Sequence, residues 1–205
     1  MSTELDLLDP ETLIAGVDEV GRGTLFGPVV AAVVVIPVSS TTYLQEIGVK
    51  DSKQLSAKKR LKLAQEIKIV AKGYHISYAS VKEIDRLNIL QASLLAMKRA
   101  VLHLSVEPAI CLVDGRQKIP DLTIPQQTII GGDRLSPIIA AASILAKVWR
   151  DELIIRLDAK YPQYDLANNK GYGTLKHRLA LEKYGVSPQH RLSFRPCYLN
   201  LPKKN

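Results

Sequence analysis

Asp18 and Glu19 stand side by side after a short apolar run, Ile14–Val17, and ahead of Gly21, Arg22, Gly23, Gly27 and Pro28. Acids at the end of a buried strand are costly unless something positive meets them. Two more acids repeat the pattern. Asp114 closes the apolar run Pro108–Val113 and precedes Gly115, and Asp133 follows the strand-like Gln127–Ile130 and the pair Gly131-Gly132. Taken singly, Asp114-Gly115 reads as a turn and Asp133 as a loop residue ahead of a helix. Taken together, strand-end carboxylates converge on one edge of a sheet, and four of them cannot all stay ionised without countercharge. Divalent cations that prefer oxygen ligands answer that need, and two such ions can clamp a phosphodiester. The glycines let a backbone approach a ligand, and Arg22 supplies charge beside it. They do not form a dinucleotide fingerprint: Gly21 and Gly23 are followed by glycine at 27, and the loop leads into a strand, where that motif needs a helix.

The elements that must hold these acids follow from periodicity. Ile14–Val17 and the β-branched run Val29–Ile36, stopped by Pro37, read as a hairpin with Asp18 and Glu19 in its connection. Ser39–Gly48 reads as a polar linker. Ala57–Lys72 reads as an amphipathic helix with Leu61, Ala64, Ile67 and Ala71 on its apolar face, and Tyr74–Ala79 as an alternating strand. Ser80-Val-Lys-Glu83 is a capping box that opens a helix expected to reach about Leu104. The run at 108–113 is apolar throughout, as in a strand covered on both faces. Ser136-Pro137 opens a long helix whose first half is small and apolar. Thr174–Tyr184 is a basic helix stopped by Gly185, and the proline-containing tail reads as irregular. The order gives an α/β fold, a mixed sheet with helices on both faces.

A chain of 205 residues with 46% apolar residues suits one domain with a sizeable core. No apolar run spans a bilayer, and the acidic start, MSTELDLLDP, is unlike a signal peptide. Cys111 and Cys197 lack metal-site spacing, and with Cys111 expected as a buried thiol they point to a reduced cytoplasmic setting. Through Ala146 the chain carries 16 Lys/Arg against 15 Asp/Glu, and from Lys147 onward 12 against 5. A neutral body with a basic C-terminal third suggests a polyanion partner. No motif calls for a membrane, and a monomer is expected. His75, His103, His177 and His190 show no metal spacing, and the last two are expected at the surface or beside phosphate.

GVDEVGRGTLFGPVVAA at 16–32 closely resembles the first motif of bacterial ribonuclease HII. VDG at 113–115, GGD at 131–133, AAASILAKVWRD at 140–151, NKGYGT at 169–174 and PQHRLSF at 188–194 resemble successive motifs of that family in order, so the resemblance spans roughly 14–196. It implies a ribonuclease H-like catalytic domain over 1–160 and a basic, helical and irregular substrate-binding region over 161–205. It assigns Asp18, Glu19, Asp114 and Asp133 as catalytic, metal-binding carboxylates for Mg²⁺ or Mn²⁺. It makes Gly21, Arg22 and Gly23 a contact to the ribonucleotide, Lys53 a phosphate contact and Tyr172 a reader of the neighbouring deoxyribose. The implied reaction is hydrolysis of RNA–DNA hybrids and of duplex DNA on the 5′ side of an embedded ribonucleotide, leaving 3′-hydroxyl and 5′-phosphate ends. Ribonuclease HIII shares the fold. It carries an extra N-terminal substrate-binding domain, whereas about a dozen residues precede the first strand here, and it differs at the position of Arg22. A non-catalytic nucleic-acid-binding module is the rival from another class, and four clustered acids that repel phosphate argue against it.

Overall fold

A computed structural model describes residues 8–201. The acidic start, read above as lacking a signal peptide, lies largely outside them, as do the last four residues. Five strands form one sheet in the order β3-β2-β1-β4-β5. Strand β1 is Leu13–Val20, β2 Val29–Pro37, β3 Gly73–Ala79, β4 Ile110–Asp114 and β5 Gln126–Ile129. The first three pair antiparallel, while β4 pairs parallel to β1 and β5 parallel to β4. The expected mixed sheet is therefore present.

Strand β2 shows why helices must cover both faces. All nine of its residues are buried. Alternation sends Val30, Ala32, Val34 and Ile36 to one side and Val29, Ala31, Val33 and Val35 to the other. The first set packs in a core with Leu44 of α1 (Thr41–Glu46), Leu63 and Ile67 of α2 (Ala57–Val70), and Ile138 to Ala146 of α6 (Pro137–Asp158). The second set packs with Ile84 of α3 (Val81–Leu87) and with Ala92, Ala96, Met97 and Ala100 of α4 (Ile89–Leu102).

Several local expectations change. Strand β1 runs on to Val20, so Asp18 and Glu19 lie inside the ladder opposite Ala32 and Ala31 and not in a connection. The polar linker holds α1. In α2 the buried face is Leu63, Ala64 and Ile67, and Leu61 is exposed. Leu63, Ala64 and Ile67 join the core that α1 and α6 share, and Leu61 stays at its edge. The helix opened by Ser80 has its capping box but ends at Leu87. Asn88 adopts φ 74° and caps α4 with its own side chain, accepting from the N–H groups of Leu90 and Gln91. Asparagine tolerates that left-handed φ better than most residues. Ser136 occupies the N-cap of α6 without a side-chain cap bond. Both cysteines are free and buried, and burial pushes the Cys111 thiol up to about 12.

After α6 the chain forms α7 (Leu166–Asn169), α8 (Leu175–Tyr184) and, within the expected irregular tail, α9 (Arg195–Tyr198). Tyr164, Leu166, Ala180, Leu181 and Cys197 share a third core with Leu25, Phe26 and Ile154. Bridges Thr24↔Tyr172 and Phe26↔His190 tie this region to the β1–β2 loop. Among the described residues, no helix is long and apolar enough to cross a membrane.

Candidate active site

The parallel ladder between β1 and β4 ends at Val17↔Val113. The next residue on each strand is an aspartate, so the register sets Asp18 beside Asp114. Glu19 joins them, and one carboxylate oxygen from each of the three lies within 4.8 Å of the others. Asp133 belongs to α5 (Gly132–Leu135), just past β5, and stands outside that tight group while lining the same cleft. The Gly132 N–H donates to Asp114 Oδ1 at 2.7 Å, which fastens this turn to the end of β4.

The electrostatics of the cluster are those of a site short of positive charge. Burial first, then the charges of Glu19 and Asp114, hold the Asp18 carboxyl well above the usual range. Burial also pushes Glu19 up to about 7, although Arg22 opposes it through an ion pair at 3.2 Å. Asp114 is raised by burial and by Asp133, against the hydrogen bond from Gly132. Asp133 takes an ion pair from Lys53 Nζ at 3.1 Å. Three clustered oxygen donors, one buried and two half-buried, whose charges oppose each other fit a hard divalent cation and have no soft ligand among them.

The remaining residues singled out in the sequence gather here too. Gly21, Arg22, Gly23, Lys53 and Tyr172 line one cleft with the four acids. Gly21 has φ 90°, and a side chain there would meet Arg150 Nε at 2.2 Å, so the fold itself demands glycine. Gly23 is different: a Cβ there would meet nothing within 4 Å, which leaves its backbone open to a ligand. Tyr172 is 44% exposed, with Lys147 Nζ 5.7 Å from its ring centroid.

Sequence reasoning missed the supports. Ser143 on α6 lines the cleft beside Asp18 and lies 3.0 Å from Ser52 Oγ. Arg150, also on α6, is 1% exposed. Its guanidinium donates to the carbonyls of Pro28, Lys170 and Phe26 and to Thr24 Oγ1, and so joins the glycine-rich loop to the loop bearing Tyr172. Arg191, fully buried, donates to the carbonyls of Gly27 and Arg22. Ser143, Lys147 and Arg150 fall at i, i+4 and i+7, a polar stripe on an apolar helix that was visible in the sequence. His177 and His190, expected at the surface, are buried and bonded to each other at 3.0 Å, because each satisfies the other's ring nitrogen.

A family profile for ribonuclease HII matches residues 15–197. The chain belongs to the ribonuclease HII family. Relatives named ribonuclease HII agree. That of Trichormus variabilis is 61% identical over 92% of this chain and 84% of its own length, and that of Acaryochloris marina 60% identical over 94% and 98%. The crystal structure of ribonuclease H2 from Pyrococcus horikoshii OT3 superposes with a TM-score of 0.81 at 30% identity, covering 92% of this chain and 97% of that one. A ribonuclease HIII structure determined with Mn²⁺ has a TM-score of 0.74 at 19% identity, over 97% of this chain and 72% of that one, and shares the fold. This ribonuclease HII family member is thus a ribonuclease H, an endonuclease of the hydrolase class with the ribonuclease H-like fold expected for it.

Proposed function

We propose that this endonuclease cleaves the RNA strand of RNA–DNA hybrids and duplex DNA on the 5′ side of a single embedded ribonucleotide. The observation that carries the reading is the shared cleft: three clustered carboxylates face an open glycine-rich loop and an exposed tyrosine across a few residues. Asp18, Glu19 and Asp114, with Asp133 beside them, would hold Mg²⁺ or Mn²⁺. Bound there, a cation would supply an activated water and would neutralise charge on the leaving oxygen.

The chain's own residues do the rest. The Gly132 N–H orients Asp114, and Ser143 stands beside Asp18 in the cleft. Arg22, half-exposed beside Glu19, offers a guanidinium to the phosphate, and Lys53 an ammonium. The exposed backbone at Gly23, held from below by Arg191 and Arg150, approaches the 2′-hydroxyl, the group that separates RNA from DNA. Tyr172 presses on the adjacent deoxyribose. Water adds to phosphorus as the bond to the 3′-oxygen breaks, and that oxygen takes the proton. The products are a 3′-hydroxyl and a 5′-phosphate, with the 2′-hydroxyl unchanged.

The region 161–205 is read as a basic grip on the duplex, acting on a catalytic body over 1–160, and the protein as a cytoplasmic monomer. The test is a cleavage assay on a duplex with one ribonucleotide, with and without chelator. Chelator-sensitive nicking at that residue supports the reading, whereas nicking only within longer RNA runs overturns its single-ribonucleotide part.

A further inference from the structure

Behind the Tyr172 loop, two imidazoles form a hydrogen-bond chain whose direction is set at both ends by the backbone. His190 Nδ1 accepts from the Ser187 N–H at 2.9 Å, with Ser187 Oγ also 2.9 Å away. A ring nitrogen that accepts carries no proton, so the proton of the neutral ring is on Nε2. That nitrogen faces His177 Nε2 at 3.0 Å, so His190 donates and His177 accepts. The proton of His177 is then on Nδ1, which stands 2.9 Å from the Tyr172 carbonyl, an obligate acceptor. Each link has one donor and one acceptor.

The surroundings keep both rings neutral and still. His177 is fully buried and His190 is 1% exposed. Phe26 and Tyr164 stand edge-on to His190, and Tyr164 also flanks His177. Burial lowers both imidazoles, His190 to about 3, and no charged side chain hydrogen-bonds either ring among the described residues. At the far end, Thr174 N–H also donates to the Tyr172 carbonyl, and Tyr172 bridges Thr24. The backbone of Tyr172 is thus pinned from inside the protein, while its ring projects into the cleft.

We propose that His177 and His190 are positioning residues for substrate selectivity: through the Tyr172 carbonyl they hold the tyrosine ring at the level where it meets the deoxyribose beside the ribonucleotide. This rests on the reading of Tyr172 given above. It gives a buried histidine pair a role in choosing the substrate, with neither ring touching it.

The test compares cleavage of a single embedded ribonucleotide with cleavage of a uniform RNA–DNA hybrid for the full-length wild type, Tyr172→Ala, His177→Ala and His177→Asn, each corrected for folded fraction. His177→Ala is expected to lower the ratio of the two rates by at least tenfold with hybrid cleavage within about threefold of wild type, and Tyr172→Ala to lower the ratio by at least tenfold whatever it does to hybrid cleavage. His177→Asn keeps an N–H within reach of the carbonyl and should restore the ratio to within about threefold. A ratio lowered by Tyr172→Ala but not by His177→Ala overturns the positioning role alone. A ratio that neither changes overturns the Tyr172 reading, and the positioning role with it. Nitrogen NMR of the wild type at pH 7 gives a check that no folding defect can blur. His177 as the Nδ1–H tautomer and His190 as the Nε2–H tautomer support the chain, and any other pair of tautomers overturns it.

Discussion

Lys53 Nζ lies 3.1 Å from Asp133 Oδ2, yet among the described residues no cation comes within ion-pair distance of Asp18 or Asp114. One acid of the cleft therefore has its own countercharge, and the pair at the ends of β1 and β4 does not. Lys53 is raised, because Asp133, Asp51 and Asp18 outweigh the burial that works against its charge. Lys53→Met removes an ammonium from the mouth of the cleft and releases Asp133. Duplex binding should weaken for all sequences alike, with the salt slope reduced by about 1, while Mg²⁺ binding tightens. Fluorescence anisotropy across a salt series and a Mg²⁺ titration check the two halves. Weaker Mg²⁺ binding would mean that Lys53 organises the acids and does not compete with a cation.

Arg150 reaches four acceptors on two loops, none of them charged. Arg150→Leu leaves buried carbonyls without donors, at a cost of roughly 1–3 kcal/mol each before relaxation. A net loss of about 3 kcal/mol should lower the melting temperature by roughly 6–12 °C in a chain of this size. Calorimetry measures it, beside the exposed Arg116→Ala as a reference expected to shift little. A shift under about 3 °C for Arg150→Leu would mean that the two loops hold together without it.

His190 gives a pH dependence with a definite sign. Its folded value, lowered to about 3 by burial and by His177, lies below the unfolded value near 6.5. Between those two values the unfolded chain binds more protons, so stability falls as pH drops below about 6.5. His190→Leu removes that term. Its destabilisation relative to wild type should shrink by about 2–3 kcal/mol from pH 7 to pH 4.5, as measured by urea melts. A pH-independent difference would show that His190 takes up its proton in the fold as readily as in the unfolded chain.

The strand-end acids, the glycine-rich loop and the sheet were legible because each leaves a local signature: an acid after an apolar run, glycine at a turn, β-branched runs. The supports were not, because their partners are remote in sequence. Arg150 meets Pro28, and His177 meets His190, only after the chain has closed. The break at Asn88 was hidden because asparagine both ends one helix and caps the next, so the apolar periodicity runs through it. Leu61 misled because helical spacing sets it on the face of Ala64, and only tertiary contact decides that it stays exposed while Leu63 is buried.

Residues beyond Tyr161 share a core with Leu25, Phe26 and Ile154, so truncating them would strip that core. Neutralisation is the cleaner test of the basic C-terminal grip. Lys176→Gln with Lys183→Gln should flatten the dependence of log affinity on log salt by about 1.4–1.8 and leave cleavage of bound duplex unchanged. An unchanged slope would place the phosphate contacts elsewhere.

Asp18→Asn tests the carboxylate cluster most directly. The amide keeps the shape and removes one charge from a buried site whose acids repel each other. Measured as nicking of duplex DNA with one ribonucleotide in Mg²⁺, the variant should be slower by at least about a hundredfold, or 2.7 kcal/mol in the transition state. Its melting temperature should be equal to or above that of the wild type, and its duplex affinity undiminished. Cleavage by the folded variant at near the wild-type rate in Mg²⁺ would contradict the assignment of Asp18, Glu19 and Asp114 as the metal-binding centre.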